Sequence, residues 1–252
     1  MTSSPTVYFV SGANRPNGLG FHLARQLAQL PDSLVFAAVR NPPTATQLAA
    51  LASERDNVIV VKLDVTSEAD AQEAAKMVKE RAGKVDVLIP CAGGNSGICH
   101  PGYLRDQDLN EARDMFAVNT FGPMILLRAF LPLLLESQHP IFVPLSSMAG
   151  SMTCAMPIPT GYYGASKAAL NFLTVKAHTE HEPLCAFVCS PGLVMTDMTT
   201  QTMSHPDLPR PPEEYIVDVE ESVAGMIKVI KSATRDMCGG KFIDYKGQPV
   251  PW

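Results

Sequence analysis

Short apolar runs rich in β-branched and aromatic residues alternate along this chain with longer stretches of helical pattern. The runs fall at residues 7–10, 34–39, 58–63, 85–89, 141–145, 184–189 and 241–243. Helical patterning covers 18–30, 44–54, 68–81, 109–135, 162–180 and 219–232. Strands that are apolar throughout, instead of alternating with polar residues, are covered on both sides. The pattern therefore predicts an α/β fold: a doubly wound parallel sheet of seven strands with helices on both faces. Thr66 and Ser67 ahead of Glu68 and Asp70 mark a helix start, hydroxyl caps followed by acids in the first turn. The proline-rich polar stretch 205–214 interrupts the rhythm before the last helix; loops of that length in compact domains are usually functional or disordered.

The 252 residues, 46% hydrophobic and 18% charged, suit one domain spanning 1–252 with a sizeable core. No repeat or linker interrupts them. Twenty basic against 25 acidic residues, a net charge of −5, leave no basic footprint for nucleic acid. Residues 1–5 lack a basic region, the run 7–10 is too short for a signal peptide, and the greasy stretch 124–135 is broken by Arg128 and Pro132. These features predict a cytoplasmic protein without a membrane partner. Six cysteines (91, 99, 154, 185, 189 and 238) form no CxxC pair, and the six histidines form no liganding motif. Free thiols in a reducing compartment and no metal site are expected.

Candidate chemistry begins after the first strand, at Ser11-Gly12-Ala13-Asn14-Arg15-Pro16-Asn17-Gly18-Leu19-Gly20, with a helix following. Glycines 12, 18 and 20 would let the backbone approach a pyrophosphate, and the helix N-terminus would supply N–H donors. The plain alternative is a glycine-rich strand–helix turn. The second strand ends in Val39-Arg40-Asn41, and no Asp or Glu occurs between 34 and 52. No acid is thus placed for a ribose 2′-hydroxyl, whereas Arg15 and Arg40 are available for a 2′-phosphate, unless both are solvated surface residues. The expected cofactor is NADP(H). Asp64-Val65 would lie near its adenine, or Asp64 would simply cap a turn.

Tyr163-Gly164-Ala165-Ser166-Lys167 opens the helix after the fifth strand, and positions i and i+4 share a helix face. A phenol of pKa about 10 is a poor acid at neutral pH. An ammonium at about 4 Å, with an effective dielectric near 20, contributes roughly 4 kcal/mol, about three pKa units. Ser146-Ser147 ends the preceding strand, where a hydroxyl could hold a carbonyl.

Taken with Asp64, Cys91-Ala92-Gly93, Asn119, Ser147 and Pro191-Gly192-Leu193-Val194-Met195-Thr196, these pieces resemble the short-chain dehydrogenase/reductase family over nearly the whole chain. A closer resemblance is to fungal norsolorinic-acid-type ketoreductases and C-factor-like relatives. It rests on Ser147-Met148-Ala149-Gly150-Ser151, on Gly161-Tyr162-Tyr163-Gly164-Ala165-Ser166-Lys167-Ala168-Ala169, and on the ending Gly240-Lys241-Phe242 through Pro251-Trp252.

The resemblance implies a Rossmann-type domain reducing a ketone of secondary metabolism. Tyr163 would donate the proton, Lys167 would assist it and hold the nicotinamide ribose, Ser147 would orient the carbonyl, and Asn119 would hold a relay water. Thr196 would bond the carboxamide. Leu19, Val65, Cys91, Ala92, Gly93, Pro191, Gly192 and Val194 would complete the cofactor site. Relatives pair through the helices that begin here near Leu109 and Tyr162, which implies a homodimer or homotetramer.

Three segments, 94–103, 148–159 and 198–215, should meet over the nicotinamide, with a substrate loop around 195–217. They carry Tyr103, Met148, Met152, Met156, Ile158, Met198 and Met203, which suit a bulky, apolar, aromatic or polyketide-like ketone, or else pack the loops themselves.

Two departures stand out. Pro16-Asn17 lengthens the glycine loop, and Cys91 stands where the family usually has asparagine. Altered cofactor affinity is the expected effect. An NADP(H)-binding regulatory protein without redox turnover, or an enzyme of a non-redox step, is the competing reading.

Overall fold

The computed structural model describes residues 4–93, 104–154, 160–204 and 211–252. Its centre is built from β1 (Thr6–Ser11), β2 (Ser33–Val39), β3 (Val58–Lys62), β4 (Val87–Ile89), β5 (Ile141–Phe142) and β6 (Cys185–Ala186). These form one parallel sheet in the order β3-β2-β1-β4-β5-β6. Alternate residues of the apolar runs feed two separate cores. Tyr8, Val10, Val35, Ala37 and Val39 face one side, with Leu23, Leu48 and Val223. Val7, Phe9, Phe36 and Ala38 face the other, with Ala71, Leu126 and Phe130.

The seven-stranded ladder expected from the sequence is corrected to six. The sixth apolar run is broken at Phe187, and β7 (Val188–Ser190) continues it. Phe187 N–H still donates to the Phe142 carbonyl at 3.1 Å, so the break is one residue long. The seventh run, β10 (Phe242–Asp244), pairs in parallel with β7 instead of joining the main ladder. A small parallel pair, β8 (Leu193–Val194) with β9 (Ile216–Val217), was not foreseen.

The first face is covered by α1 (Leu19–Leu27), α2 (Thr46–Glu54) and α8 (Val219–Ser232), the second by α3 (Glu68–Ala82) and the helices that follow β4 and β5. The expected cap of α3 forms: Ser67 Oγ accepts from Asp70 N–H at 3.1 Å, and Gly83 closes the helix at φ 74°. The long apolar stretch after β4 is not one uniform helix. It comprises α4 (Leu109–Phe116), one π-helical turn over Ala117–Phe121, and α5 (Gly122–Leu134). Leu109–Leu134 is long and apolar enough to cross a membrane, with hydropathy 1.5, yet its Leu126, Phe130 and Leu134 are packed in the second core. The remaining helices are α6 (Gly161–Glu180), α7 (Asp197–Met203) and the short α9 (Arg235–Cys238).

Candidate active site

The carboxyl ends of the parallel strands open into a cleft of about 230 Å³. Its first wall is the glycine loop, and Gly12, Asn14, Arg15, Gly18, Leu19 and Gly20 all line it. Gly12 adopts φ 75°, and a Cβ there would stand 2.7 Å from the Ala92 backbone. A Cβ on Gly20 would strike the Gly12 carbonyl. The inserted Pro16-Asn17 is absorbed as a β-turn closed by Gly18 N–H to the Arg15 carbonyl at 2.9 Å. At the turn's tip, Asn17 Nδ2 donates to Asp197 Oδ1 of α7 at 3.2 Å. Pro16 and Asn17 themselves are exposed, so the extra length stands at the surface of the loop.

Arg40, Asp64 and Val65 line one end of the cleft together with Arg15. Asp64 also fulfils the plainer role weighed for it: its Oδ1 accepts from Thr66 N–H at 2.9 Å and from Thr66 Oγ1 at 2.7 Å. Cys91, Ala92 and Gly93 form the middle of the floor. The Ser11 hydroxyl holds this segment by accepting from the amides of Cys91 and Ala92, both at 3.2 Å.

Tyr163, Lys167, Pro191 and Thr196 line the far end. Lys167 Nζ lies 5.9 Å from the Tyr163 ring centroid and donates to the Leu145 carbonyl at 2.9 Å. Burial lowers its pKa from 10.5 to about 8. Burial likewise pushes the neighbouring Cys91 thiol up to about 12, only partly opposed by the Lys167 charge, so the thiol stays neutral. Asn119 sits in the π turn, fully buried, and its Nδ2 donates to Ser166 Oγ at 3.1 Å. Ser166 in turn donates to the Tyr163 carbonyl at 2.7 Å. A Cβ placed on Gly93 would be 3.7 Å from Asn119 Oδ1 and 3.9 Å from Lys167 Nζ, so these three positions converge on one spot.

Ser147 is half-buried at the start of the turn Met148–Gly150, and its Oγ accepts from Ala149 N–H at 3.2 Å. That turn presses against α6. A Cβ on Gly150 would be 2.8 Å from Lys167 Cβ, and one on Gly164 would be 2.5 Å from the Ala149 carbonyl oxygen.

Gly192 and Val194, like Ser147 and Asn119, are not among the residues that line the cleft. Gly192, at φ 79°, packs against Tyr245 and Val217, and Val194 is buried in β8; they shape the segment that presents Thr196. Leu63, Val118, Leu145, Ser146 and Met198 line the cleft without having been singled out for the cofactor site. Of the predicted substrate segments, 94–103, 155–159 and 205–210 lie outside the described residues, and with them Tyr103, Met156 and Ile158.

Residues 6–207 match the family model for short chain dehydrogenases. An uncharacterized oxidoreductase of Schizosaccharomyces pombe is 32% identical over the full length of both chains. The norsolorinic acid ketoreductase of Aspergillus parasiticus is 34% identical, covering 98% of this chain and 91% of that one. Among solved structures, the NADPH-bound carbonyl reductase from chicken fatty liver superposes with a TM-score of 0.87 at 29% identity, covering 99% of this chain and all of that one. The chain belongs to the short-chain dehydrogenase family of oxidoreductases.

Proposed function

We propose that this protein uses NADPH to reduce a bulky, largely apolar ketone, aromatic or polyketide-like, in secondary metabolism. The observation that carries it is the placement of Tyr163 and Lys167 on one face of α6 at the end of the cleft, with the Ser147 turn pressed against the same helix. The glycine loop between β1 and α1 supports a dinucleotide here: Gly12, Gly18 and Gly20 all line the cleft, and Gly12 and Gly20 pack so tightly on neighbouring backbone that only glycine fits. Arg15 and Arg40 both line the cleft, and two guanidinium groups there suit a 2′-phosphate. The NADPH in the chicken carbonyl reductase and the substrate in the name of the Aspergillus enzyme point the same way.

When bound, the nicotinamide supplies the hydride. Ser147 then holds the ketone oxygen, and Tyr163 passes its hydroxyl proton to that oxygen as charge develops on it. The Lys167 ammonium stabilises the phenolate left behind, and Asn119 Oδ1, beside Lys167, holds a water that returns the proton. Cys91 contributes no charge, and its side chain replaces an amide without touching the proton donor.

Met148, Met152 and Met195 are exposed, and Met198 lines the cleft, an adaptable apolar rim for a large substrate. Exposed Leu109, Phe121 and Phe172 on the α4–α6 region support pairing into a homodimer or homotetramer.

The test is NADPH oxidation with a panel running from a small anionic keto acid to polycyclic aromatic ketones, on wild type and on Tyr163→Phe. The aromatic ketones should have the higher kcat/KM. The variant should bind NADPH normally and turn over a hundredfold or more slower. Preference for the keto acid refutes the substrate class; undiminished turnover in the variant refutes the site.

A further inference from the structure

One buried polar side chain next to the site has no part in the chemistry above. Asn171 lies one helical turn beyond Lys167 on α6, so Tyr163, Lys167 and Asn171 form a ladder at i, i+4 and i+8 along one face. Its relative exposure is 2%. Buried primary amides carry a desolvation cost unless donor and acceptor both find partners. Here both do. The Asn171 Oδ1 accepts from Ser146 Oγ at 2.5 Å, and its Nδ2 donates to the Gly150 carbonyl at 3.4 Å. These partners flank Ser147, one residue before it and three after.

The neighbouring rung does the same. Lys167 Nζ holds the carbonyl of Leu145, one residue earlier on the strand. Leu145, Ser146 and Gly150 are thus tied to successive rungs of the helix that carries Tyr163. Gly150 and Gly164 leave no room between turn and helix for a Cβ at either position, so these bonds close across a direct backbone contact. The amide suits both partners, accepting from the Ser146 hydroxyl and donating to the Gly150 carbonyl. A carboxylate would accept from the first and repel the second, and leucine would leave both unpaired.

We propose that Asn171 is a positioning residue: by bridging Ser146 and Gly150 it fixes the turn that presents the Ser147 hydroxyl at working distance from Tyr163. This rests on the ketone-reducing role assigned to Ser147 above. Asn171 itself touches neither substrate nor cofactor.

Asn171→Leu keeps the volume and removes both bonds. Its kcat for ketone reduction should fall about tenfold or more, since a full ångström of misplacement can cost about a hundredfold and loss of two hydrogen bonds loosens the turn without driving it off the helix. The NADPH Kd should stay within twofold. The decisive comparison is a double-mutant cycle with Ser147→Ala. If Asn171 acts through Ser147, then in the Ser147→Ala background the same substitution changes kcat by less than twofold. An equal loss in both backgrounds overturns the proposal, as does an unchanged kcat in the single variant. Asn171→Ala, which also removes both bonds, serves the same cycle should the leucine variant fail to fold.

Amide hydrogen exchange supplies a readout independent of turnover. The Ala149 and Gly150 amides should exchange about tenfold faster in the variant, with those of β4 unchanged. Unaltered exchange at 149 and 150 also overturns the proposal. If wild type reduces no ketone, the functional assignment fails by itself, and the tether of the turn is then decided by exchange.

Discussion

Replacing Gly164 with alanine sets two opposed effects against each other. Gly164 is the fourth residue of α6, and its N–H donates to the Thr160 carbonyl at 2.8 Å, so its backbone is ordinary helix. In that setting alanine is favoured over glycine by about 0.5–1 kcal/mol. The added methyl, however, would stand 2.5 Å from the Ala149 carbonyl oxygen. Carbon–oxygen contacts settle at about 3.3 Å or more, so roughly 0.8 Å must be found. The turn cannot slide sideways, because a Cβ at Gly150 would already be 2.8–2.9 Å from Lys167 and Ala168. It must lift. Overpacking of this kind costs about 1–3 kcal/mol and outweighs the helix gain. Gly164→Ala should therefore melt several degrees lower, at about 2–4 °C per kcal/mol for a chain of this size. Lifting the turn carries Ser147 away from Tyr163, and kcat should drop by about a hundredfold with NADPH affinity little changed. Thermal unfolding, NADPH fluorescence titration and steady-state kinetics measure the three quantities. A variant that melts above wild type with kcat within threefold would show that helix propensity wins, and the contact between turn and helix would be refuted.

Arg15→Ala combined with Arg40→Ala should reduce the preference for NADPH over NADH by at least about tenfold, since charge-assisted hydrogen bonds contribute about 1.5–3 kcal/mol when well formed. An unchanged ratio of the two dissociation constants would return both arginines to the solvated surface. Lys167 predicts a pH signature in the cofactor-free protein. Its folded value of about 8 lies below the ordinary 10.5, so the unfolded chain holds the extra proton between those limits and stability rises across that window. The penalty below pH 8 is on the order of 3 kcal/mol. Lys167→Met should thus gain most over wild type at pH 7 and lose that advantage as the pH rises toward 10. A stability difference independent of pH would show that the ammonium is better hydrated than its burial implies.

Much of this site was legible because its chemistry is written in short, local patterns. Tyr163 and Lys167 are related by helical period alone, and the glycine loop by its place between an apolar run and a helix. Both kinds of signal survive without knowledge of the tertiary contacts. What the sequence hid depends on distance in the chain. Asn171 is an unremarked polar residue in an otherwise helical stretch until Ser146, 25 residues away, is brought against it. Gly192 and Val194 lie within a matching motif, yet they turn from the cleft to pack on Tyr245 and into β8. The break at Phe187 is invisible in a continuous apolar run, since each residue there is equally suited to a strand. Hydrophobic period likewise could not separate an α-helix from α4 and α5 joined by a π turn, because the eight residues of α4 are too few to fix a phase against which the shift could be read.

That π turn bears on how the gene can change length. A π turn is equivalent to one residue inserted into an α-helix. Removing any one residue from Ala117–Phe121 would restore a regular helix and rotate everything beyond it by about 100° relative to what precedes it. Either Asn119 would swing away from Gly93 and Ser166, or Leu126 and Phe130 would turn out of the second core. Substitutions can accumulate along this helix, but its residue count is fixed from both ends. The glycine loop is the opposite case: Pro16 and Asn17 form an exposed turn outside both β1 and α1. Insertions and deletions among relatives should therefore be found in the glycine loop and be missing from the segment between α4 and α5.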